Sequence, residues 1–221
     1  VPTVVITGAN RGIGLAFAKA FRDRGYSVIG TSREPQEADE LAALGVRVEE
    51  VDVTDDASVA HFADRLAGVA VDRLINNAGV LRRDRIDQLD PVAILRQFDV
   101  NALGPLRVSQ ALMPNLRLSS SPGVVAITSR MGSIADNSSG AFYGYRMSKA
   151  ALNAAMKSLA IDLAPIPVML LHPGYVRTRL TGDLGDLTAD EAVARMMPLI
   201  EGLSLADSGK FYHRDGHTLA W

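Results

Sequence analysis

The 221-residue sequence predicts an α/β fold, a doubly wound parallel sheet of about seven strands with helices on both faces. Three observations predict it. Short β-rich runs alternate with helical stretches along the whole chain, in a β-then-α rhythm repeated about six times. Several strand candidates are apolar on both faces, as parallel strands buried under helices must be. The first strand also runs into a glycine-rich turn, Thr7-Gly8-Ala9-Asn10-Arg11-Gly12-Ile13-Gly14, which opens the first helix.

The elements follow in order. The first strand is Thr3 to Thr7, and the helix Ile13 to Arg24 carries Ile13, Phe17, Ala20 and Phe21 as its apolar positions. The strand Ser27 to Thr31 leads to a helix at Gln36 to Leu44, and the strand Val46 to Val51 to a helix at Asp55 to Ala67. The strand Arg73 to Asn76 precedes one long helix, Pro91 to Leu118. Ser119-Ser120-Ser121-Pro122-Gly123 reads as a loop, too short to separate domains, before the strand Val124 to Thr128. A second long helix, Gly144 to Ala164, is followed by the strand Val168 to Leu171, a helix at Thr188 to Leu203 and the strand Lys210 to His213. No repeat, low-complexity linker or composition break interrupts this layout, so one domain over residues 1–221 is expected.

Composition narrows the function classes. The net charge is −2, which leaves no broad basic field for nucleic acid or an acidic membrane surface. The short cluster Arg82-Arg83-Asp84-Arg85 reads as a solvated loop. The chain has no cysteine, which excludes disulfides, thiolate catalysis and cysteine zinc sites and fits a reducing, cytoplasmic setting. No apolar run approaches the roughly 20 residues of a membrane span. Val1-Pro2-Thr3 shows no signal-peptide pattern, although a trimmed start leaves a removed leader open. His172, His213 and His217 lack metal-ligand spacing, His61 reads as a helix-face residue, and no metal is expected.

Several motifs carry chemistry. In the opening turn, Gly8 suits backbone angles closed to other residues, while Gly12 and Gly14 let backbone approach a pyrophosphate at a helix N-terminus. Its spacing is G-x-x-x-G-x-G, and alone it reads equally as a plain turn. It lacks the lysine and hydroxyl of a P-loop, which argues against ATP or GTP hydrolysis. Asp52, ending the third strand beside Val53, suits either an adenine amino group or helix capping together with Thr54 and Asp55. Asn76-Asn77-Ala78-Gly79 closes the fourth strand with small residues that let a ligand pass close, or with an ordinary turn. Tyr145 and Lys149 share one helix face at i, i+4, a pairing also common on solvent faces. Ser129 follows the apolar strand Val124 to Thr128, near the sheet edge where ligands of such folds bind.

Together, in their order and spacing over nearly the whole chain, the glycine turn, Asp52, Asn76 to Gly79, Asn101, Ser129, Tyr145 with Lys149, and Pro173-Gly174 resemble the classical short-chain dehydrogenase/reductase family, whose fold is of the Rossmann type. The stretch Tyr145 to Asn153 and the ending Gly209-Lys210-Phe211-Tyr212, Asp215-Gly216 and Trp221 look like its C-factor and sniffer-type carbonyl reductases. The resemblance implies a catalytic set of Asn101, Ser129, Tyr145 and Lys149. Tyr145 would be general acid, or base when an alcohol is oxidised. An unperturbed phenol titrates near ~10, so base work near neutrality calls for a lowering of about three units. Lys149 would favour the phenolate and hold the nicotinamide ribose. Ser129 would polarise the carbonyl, and Asn101 would fix a water that relays protons through Lys149. Tyr143, six residues before the lysine, is off that face; Ser133 fits the Ser-x-x-Gly pattern less well than Ser129. Asp136 to Gly140 reads as a small insertion at the pocket rim.

The implied cofactor contacts are Gly8, Asn10, Arg11, Gly12, Ile13, Gly14, Arg33, Asp52, Val53, Asn77, Ala78, Gly79, Tyr145, Lys149, Pro173, Gly174, Val176 and Thr178. The second strand ends in Thr31-Ser32-Arg33, with no acid before Glu34 to select NAD. NADP(H) is therefore expected over NAD, with Arg33 and Arg11 facing the 2′-phosphate. Leu180 to Asp190 would form a lid. The expected function is hydride transfer between nicotinamide and a small carbonyl or secondary alcohol. The alternative is a dinucleotide-binding sensor or signalling protein with little turnover. The resemblance implies a homo-oligomer, dimer or tetramer, formed through the two long helices, whose apolar faces allow it but could equally pack on the sheet.

Overall fold

The computed structural model describes all 221 residues. Seven parallel strands form one sheet in the order β3-β2-β1-β4-β5-β6-β7. They are β1 (Thr3–Ile6), β2 (Ser27–Ser32), β3 (Arg47–Glu50), β4 (Arg73–Asn76), β5 (Val124–Ile127), β6 (Val168–His172) and β7 (Phe211–His213). The helices are α1 (Gly12–Asp23), α2 (Asp39–Ala42), α3 (Asp56–Arg65), α4 (Pro91–Phe98), α5 (Gly104–Ala111), α6 (Met113–Leu118), α7 (Tyr143–Asp162) and α8 (Ala189–Glu201). The chain builds outward from β1 in one direction as far as β3, then returns to β4 on its other side. That reversal opens a crevice at the C-terminal ends of β1 and β4, the place where such sheets bind ligands.

Strand alternation explains why both faces are apolar. Val5, Leu74, Val124, Ala126, Val168 and Leu170 point into a core with Phe62 of α3, Val108 of α5 and Leu152 and Met156 of α7. Val4, Ile6, Ile75, Val125, Ile127, Met169 and Leu171 point into a second core with Phe17 and Phe21 of α1 and Met196, Met197 and Ile200 of α8. The two cores hold 24 and 23 buried residues, so each sheet face carries a full helical layer.

Two expected helices differ. The segment Gln36 to Leu44 contains a 3₁₀ turn at Pro35–Glu37 and a single turn, α2. The segment Pro91 to Leu118 divides into α4, a π turn at Asp99–Leu103, α5 and α6. Pro105 causes the first interruption. It has no N–H to give the Asn101 carbonyl, and its ring would press on that carbonyl in a regular helix. The ladder lengthens there to i→i+5, with the Gly104 N–H on the Asp99 carbonyl.

The second core sets a stability expectation. Phe21 is fully buried, 6.3 Å from the ring of Phe17 and 4.9 Å, edge-on, from that of Tyr26. Phe21→Ala should cost about 3–5 kcal/mol, read as a lower denaturant midpoint at unchanged slope.

Candidate active site

The glycine turn is held by two side chains. The Thr7 hydroxyl accepts the N–H groups of Asn77 and Ala78, both at 3.0 Å. The Asn77 amide donates to the carbonyls of Thr7 and Gly8, again at 3.0 Å. Asn77 therefore builds the cradle, and its amide nitrogen is committed to protein. Gly8 has φ +63°, and a Cβ on Gly14 would stand 2.2 Å from the Gly8 carbonyl, so neither position accepts a side chain without distortion. The first turn of α1 has no acidic residue and no side-chain cap, and the Arg11 side chain is exposed. Free N–H groups at the positive end of a three-turn helix form an anion receptor. Thr178 closes the other side of this turn, its methyl 3.3 Å from a Cβ built on Gly12.

At the end of β2, Arg33 is exposed and pairs with Glu34 at 3.3 Å. It shares a groove of about 510 Å³ with Asp52, Asp55, Ser58 and His61. Asp55, not Asp52, caps α3, accepting from the Ala57 N–H at 2.9 Å. The Asp52 carboxylate accepts the Thr54 N–H and hydroxyl at 2.9 and 2.7 Å. Burial opposes its charge, but those bonds and the Arg33 and Arg96 guanidiniums outweigh it and hold the carboxyl below its ordinary value. Val53 is buried beside it.

Ser129, Tyr145 and Lys149 come together past β5. Ser129 begins a 3₁₀ turn over Arg130–Gly132, its oxygen accepting from the Met131 N–H at 3.1 Å. Gly132 packs on the backbone of α7, where a Cβ would lie 2.8 Å from the Lys149 carbonyl. The Ser129 hydroxyl neighbours the Tyr145 phenol and eases its ionisation. Tyr145 is 7% exposed, whereas Tyr143 is 37% exposed. The rival Ser133 hydroxyl donates to the Trp221 carbonyl and accepts from Asp136 N–H, both at 3.1 Å. Lys149 Nζ donates to the Ile127 carbonyl at 2.9 Å and lies 5.8 Å from the Tyr145 ring centre.

Electrostatics here run against one expectation. Burial pushes the Tyr145 phenol up to about 12, with the Ser129 hydroxyl a smaller opposing influence. That is opposite to the lowering which base work near neutrality requires. Burial also brings Lys149 down to about 8. The phenol therefore keeps its proton at neutrality, beside an ammonium close to its own titration point.

Asn101 lies in the π turn, fully buried. Its amide is spent: Nδ2 donates to the Val80 carbonyl at 2.8 Å and the Ser148 hydroxyl at 2.9 Å, and Oδ1 accepts the Val80 N–H at 2.8 Å. Its backbone carbonyl is the group that Pro105 leaves without an i+4 donor. Gly79 lies between this residue and Lys149, a Cβ there standing 3.3 Å from Asn101 Oδ1 and 3.9 Å from Lys149 Nζ.

Beyond β6, Pro173 and Gly174 lie against Arg214, which donates to the Pro173 carbonyl at 3.4 Å. Val176 is buried and bridges Leu187, which ties the expected lid to the segment that follows β6. His172 is buried against His213, ring centres 5.4 Å apart, and burial, then His213 and Arg214, press it down to about 3. No group of three or more histidines, acids or cysteines is placed to hold a metal. No helix is long and apolar enough to cross a membrane.

The cluster Arg82-Arg83-Asp84-Arg85 is not wholly solvated. Its arginines are exposed, but Asp84 is buried, because its carboxylate accepts the Tyr143 N–H and, at 2.9 Å, the Gly144 N–H at the start of α7. Gln97, buried on α4, accepts the Arg82 N–H at 2.8 Å. Neither residue was expected at the site, and neither were Ser148 or Thr7. A lone acid among exposed arginines was the one available sign.

The chain is similar to known proteins over its whole length. A family model described as short chain dehydrogenase matches residues 2–188. The chain is 40% identical over 228 residues to 1-hydroxy-2-glutathionyl-2-methyl-3-butene dehydrogenase of Rhodococcus sp. (strain AD45), covering 99% of each chain. Among solved structures it is similar to an NADPH-bound carbonyl reductase from chicken fatty liver, with TM-score 0.93 and 34% identity over 100% of this chain and 99% of that one. It is similar as well to the carbonyl reductase Sniffer of D. melanogaster, with TM-score 0.94 and 29% identity over the whole of both chains.

Proposed function

The chain belongs to the short-chain dehydrogenase family and is an oxidoreductase of that kind; from this premise we propose that it is an NADPH-dependent carbonyl reductase with Tyr145 as its proton donor. The observation that carries the reading is the convergence of three groups: a buried phenol, a neighbouring serine hydroxyl that eases its ionisation, and a buried ammonium 5.8 Å from its ring. The site's own form supports a dinucleotide. The glycine cradle admits no side chain at Gly14, and the uncapped first turn of α1 presents N–H groups suited to a pyrophosphate. Arg33 makes only an exposed ion pair, worth little, so its planar fork is available to a 2′-phosphate. Asp52 would meet the adenine, and Val176 and Thr178 would meet the nicotinamide end.

When bound, the cofactor supplies the hydride. The protein's residues do the rest. Ser129 orients the substrate carbonyl oxygen by donating to it. Tyr145, kept protonated by burial, gives its proton to that oxygen as negative charge develops there. Lys149 holds a positive charge beside the phenolate left behind. A water on the Asn101 carbonyl would return a proton through Lys149. The substrate is a small carbonyl or the corresponding secondary alcohol. Val92 and Leu95 on α4 and Ile161 on α7, all largely exposed, support the self-association expected of these helices.

Three measurements test the reading. Tyr145→Phe should lower carbonyl-dependent NADPH consumption by about 10²–10⁴-fold while NADPH binding persists; full retention of turnover would sink the assignment. Arg33→Asp should weaken NADPH by about one to two orders of magnitude and narrow the gap to NADH; an unchanged preference removes Arg33 from cofactor choice. For pH, the Lys149 charge is present below about 8 and lost as pH rises through that value. Reduction should therefore hold level through neutrality and decline above about pH 8, a limb absent from Lys149→Met.

A further inference from the structure

Between the cofactor side of the crevice and α7 runs a short segment without regular secondary structure, Val80 to Asp84, fastened at alternate residues. Val80 is held through both its N–H and its carbonyl by Asn101, at 2.8 Å each. The Arg82 N–H is held by Gln97, at 2.8 Å. Gln97 and Asn101 are four residues apart across α4 and the π turn, one above the other. Asp84 then makes the far connection. One carboxylate oxygen accepts the Tyr143 N–H, the other accepts the Gly144 N–H at 2.9 Å, and its own carbonyl accepts the Phe142 N–H at 3.0 Å. Three successive N–H groups at the start of α7 thus end on one residue.

The fold needs that anchor. The residues leading into α7, Ala141 and Phe142, both take left-handed backbone angles, φ +54° and +53°, which side chains disfavour. The only side-chain cap on this helix comes from outside it, since Phe142 at the cap position offers none. Asp84 forms no ion pair with the arginines on either side, so its carboxylate is given wholly to α7. The packing is tight as well: a Cβ on Gly144 would stand 2.4 Å from Gln97 Nε2 and 3.1 Å from Asp84 Oδ2. Tyr145 is the next residue, in the first turn. Lower down, Ser148 and Asn153 anchor α7 independently, to Asn101 at 2.9 Å and Thr128 at 2.6 Å.

We propose that Asp84 is a positioning residue for Tyr145: it fixes the first turn of α7, and with it the phenol, against the cofactor-side strap. The inference rests on the reading of Tyr145 as the proton donor. It deepens that reading by naming what sets the donor's place.

The test compares Asp84→Ala, Asp84→Asn and Tyr145→Phe in the full chain. A displacement of about 1 Å at a reacting group can cost 10²-fold. Asp84→Ala should therefore lower kcat by roughly 10–100-fold with NADPH affinity and the carbonyl KM nearly unchanged. Asp84→Asn, which keeps one acceptor oxygen, should recover part of that loss. Backbone hydrogen exchange should quicken in residues 142–146 and stay slow from Ser148 onward. Wild-type kcat in Asp84→Ala overturns the proposal. So does a parallel fall of kcat, NADPH affinity and melting temperature in both Asp84 variants, which marks a general structural role. Tyr145→Phe separates the two levels: loss of turnover there with wild-type kcat in Asp84→Ala overturns the positioning role alone, whereas an active Tyr145→Phe overturns the reading beneath it.

Discussion

An ammonium group kept out of water is the constraint around which this molecule is arranged. Lys149 is 4% exposed, its protein acceptor is the Ile127 carbonyl, and burial weakens its hold on its proton. Removing a charge from water costs several kcal/mol unless partners compensate. The partners must therefore be brought to it, and the architecture does this at one end of the sheet. β5 supplies the carbonyl, and the turn after it sets Gly132 against the lysine's own backbone. The turn after β4 presents Gly79, where an added Cβ would stand 3.9 Å from Nζ. A side chain at Gly132 would press on the α7 backbone, with its Cβ 2.8 Å from the Lys149 carbonyl.

The π turn serves the same end. A regular helix from Pro91 to Leu118 would engage every interior carbonyl and would set Asn101 in a different phase relative to α7. The interruption at Pro105 turns the Asn101 amide onto Val80 and Ser148 and leaves its carbonyl short of a donor. One local defect thereby joins three things: the cofactor side of β4, the strap leading to Asp84, and the helix that carries Tyr145. The defect costs hydrogen bonding within one helix and gains a tie between two.

Much of this was legible in residue order. The seven strands, and the burial of the central ones on both faces, follow from runs such as Thr3 to Ile6 and Val168 to Leu171, because parallel strands under two helical layers leave no polar face. Tyr145 and Lys149 fall on one helix face by spacing alone. What escaped depends on partners distant in the chain. The π turn shifts the hydrogen-bond ladder by one residue while the apolar periodicity of the segment carries on, so periodicity cannot register it. Asp84 sits among three exposed arginines, and its burial comes from amides 59 and 60 residues later. Asn77 has the position of a ligand contact, yet its side chain completes the turn that would hold the ligand. The rise in the Tyr145 pKa likewise reflects depth of packing, which spacing along a helix does not report.

That commitment of Asn77 has a thermodynamic consequence. Because the Thr7 and Gly8 carbonyls are already pinned, the amides of the glycine turn are aimed before any phosphate arrives, and little main-chain freedom is left there to lose. Association at that end should resemble a key entering a stiff lock, fast and with a small ordering cost. The far rim is built differently, with Leu180 and Leu184 exposed on the loop beyond β6.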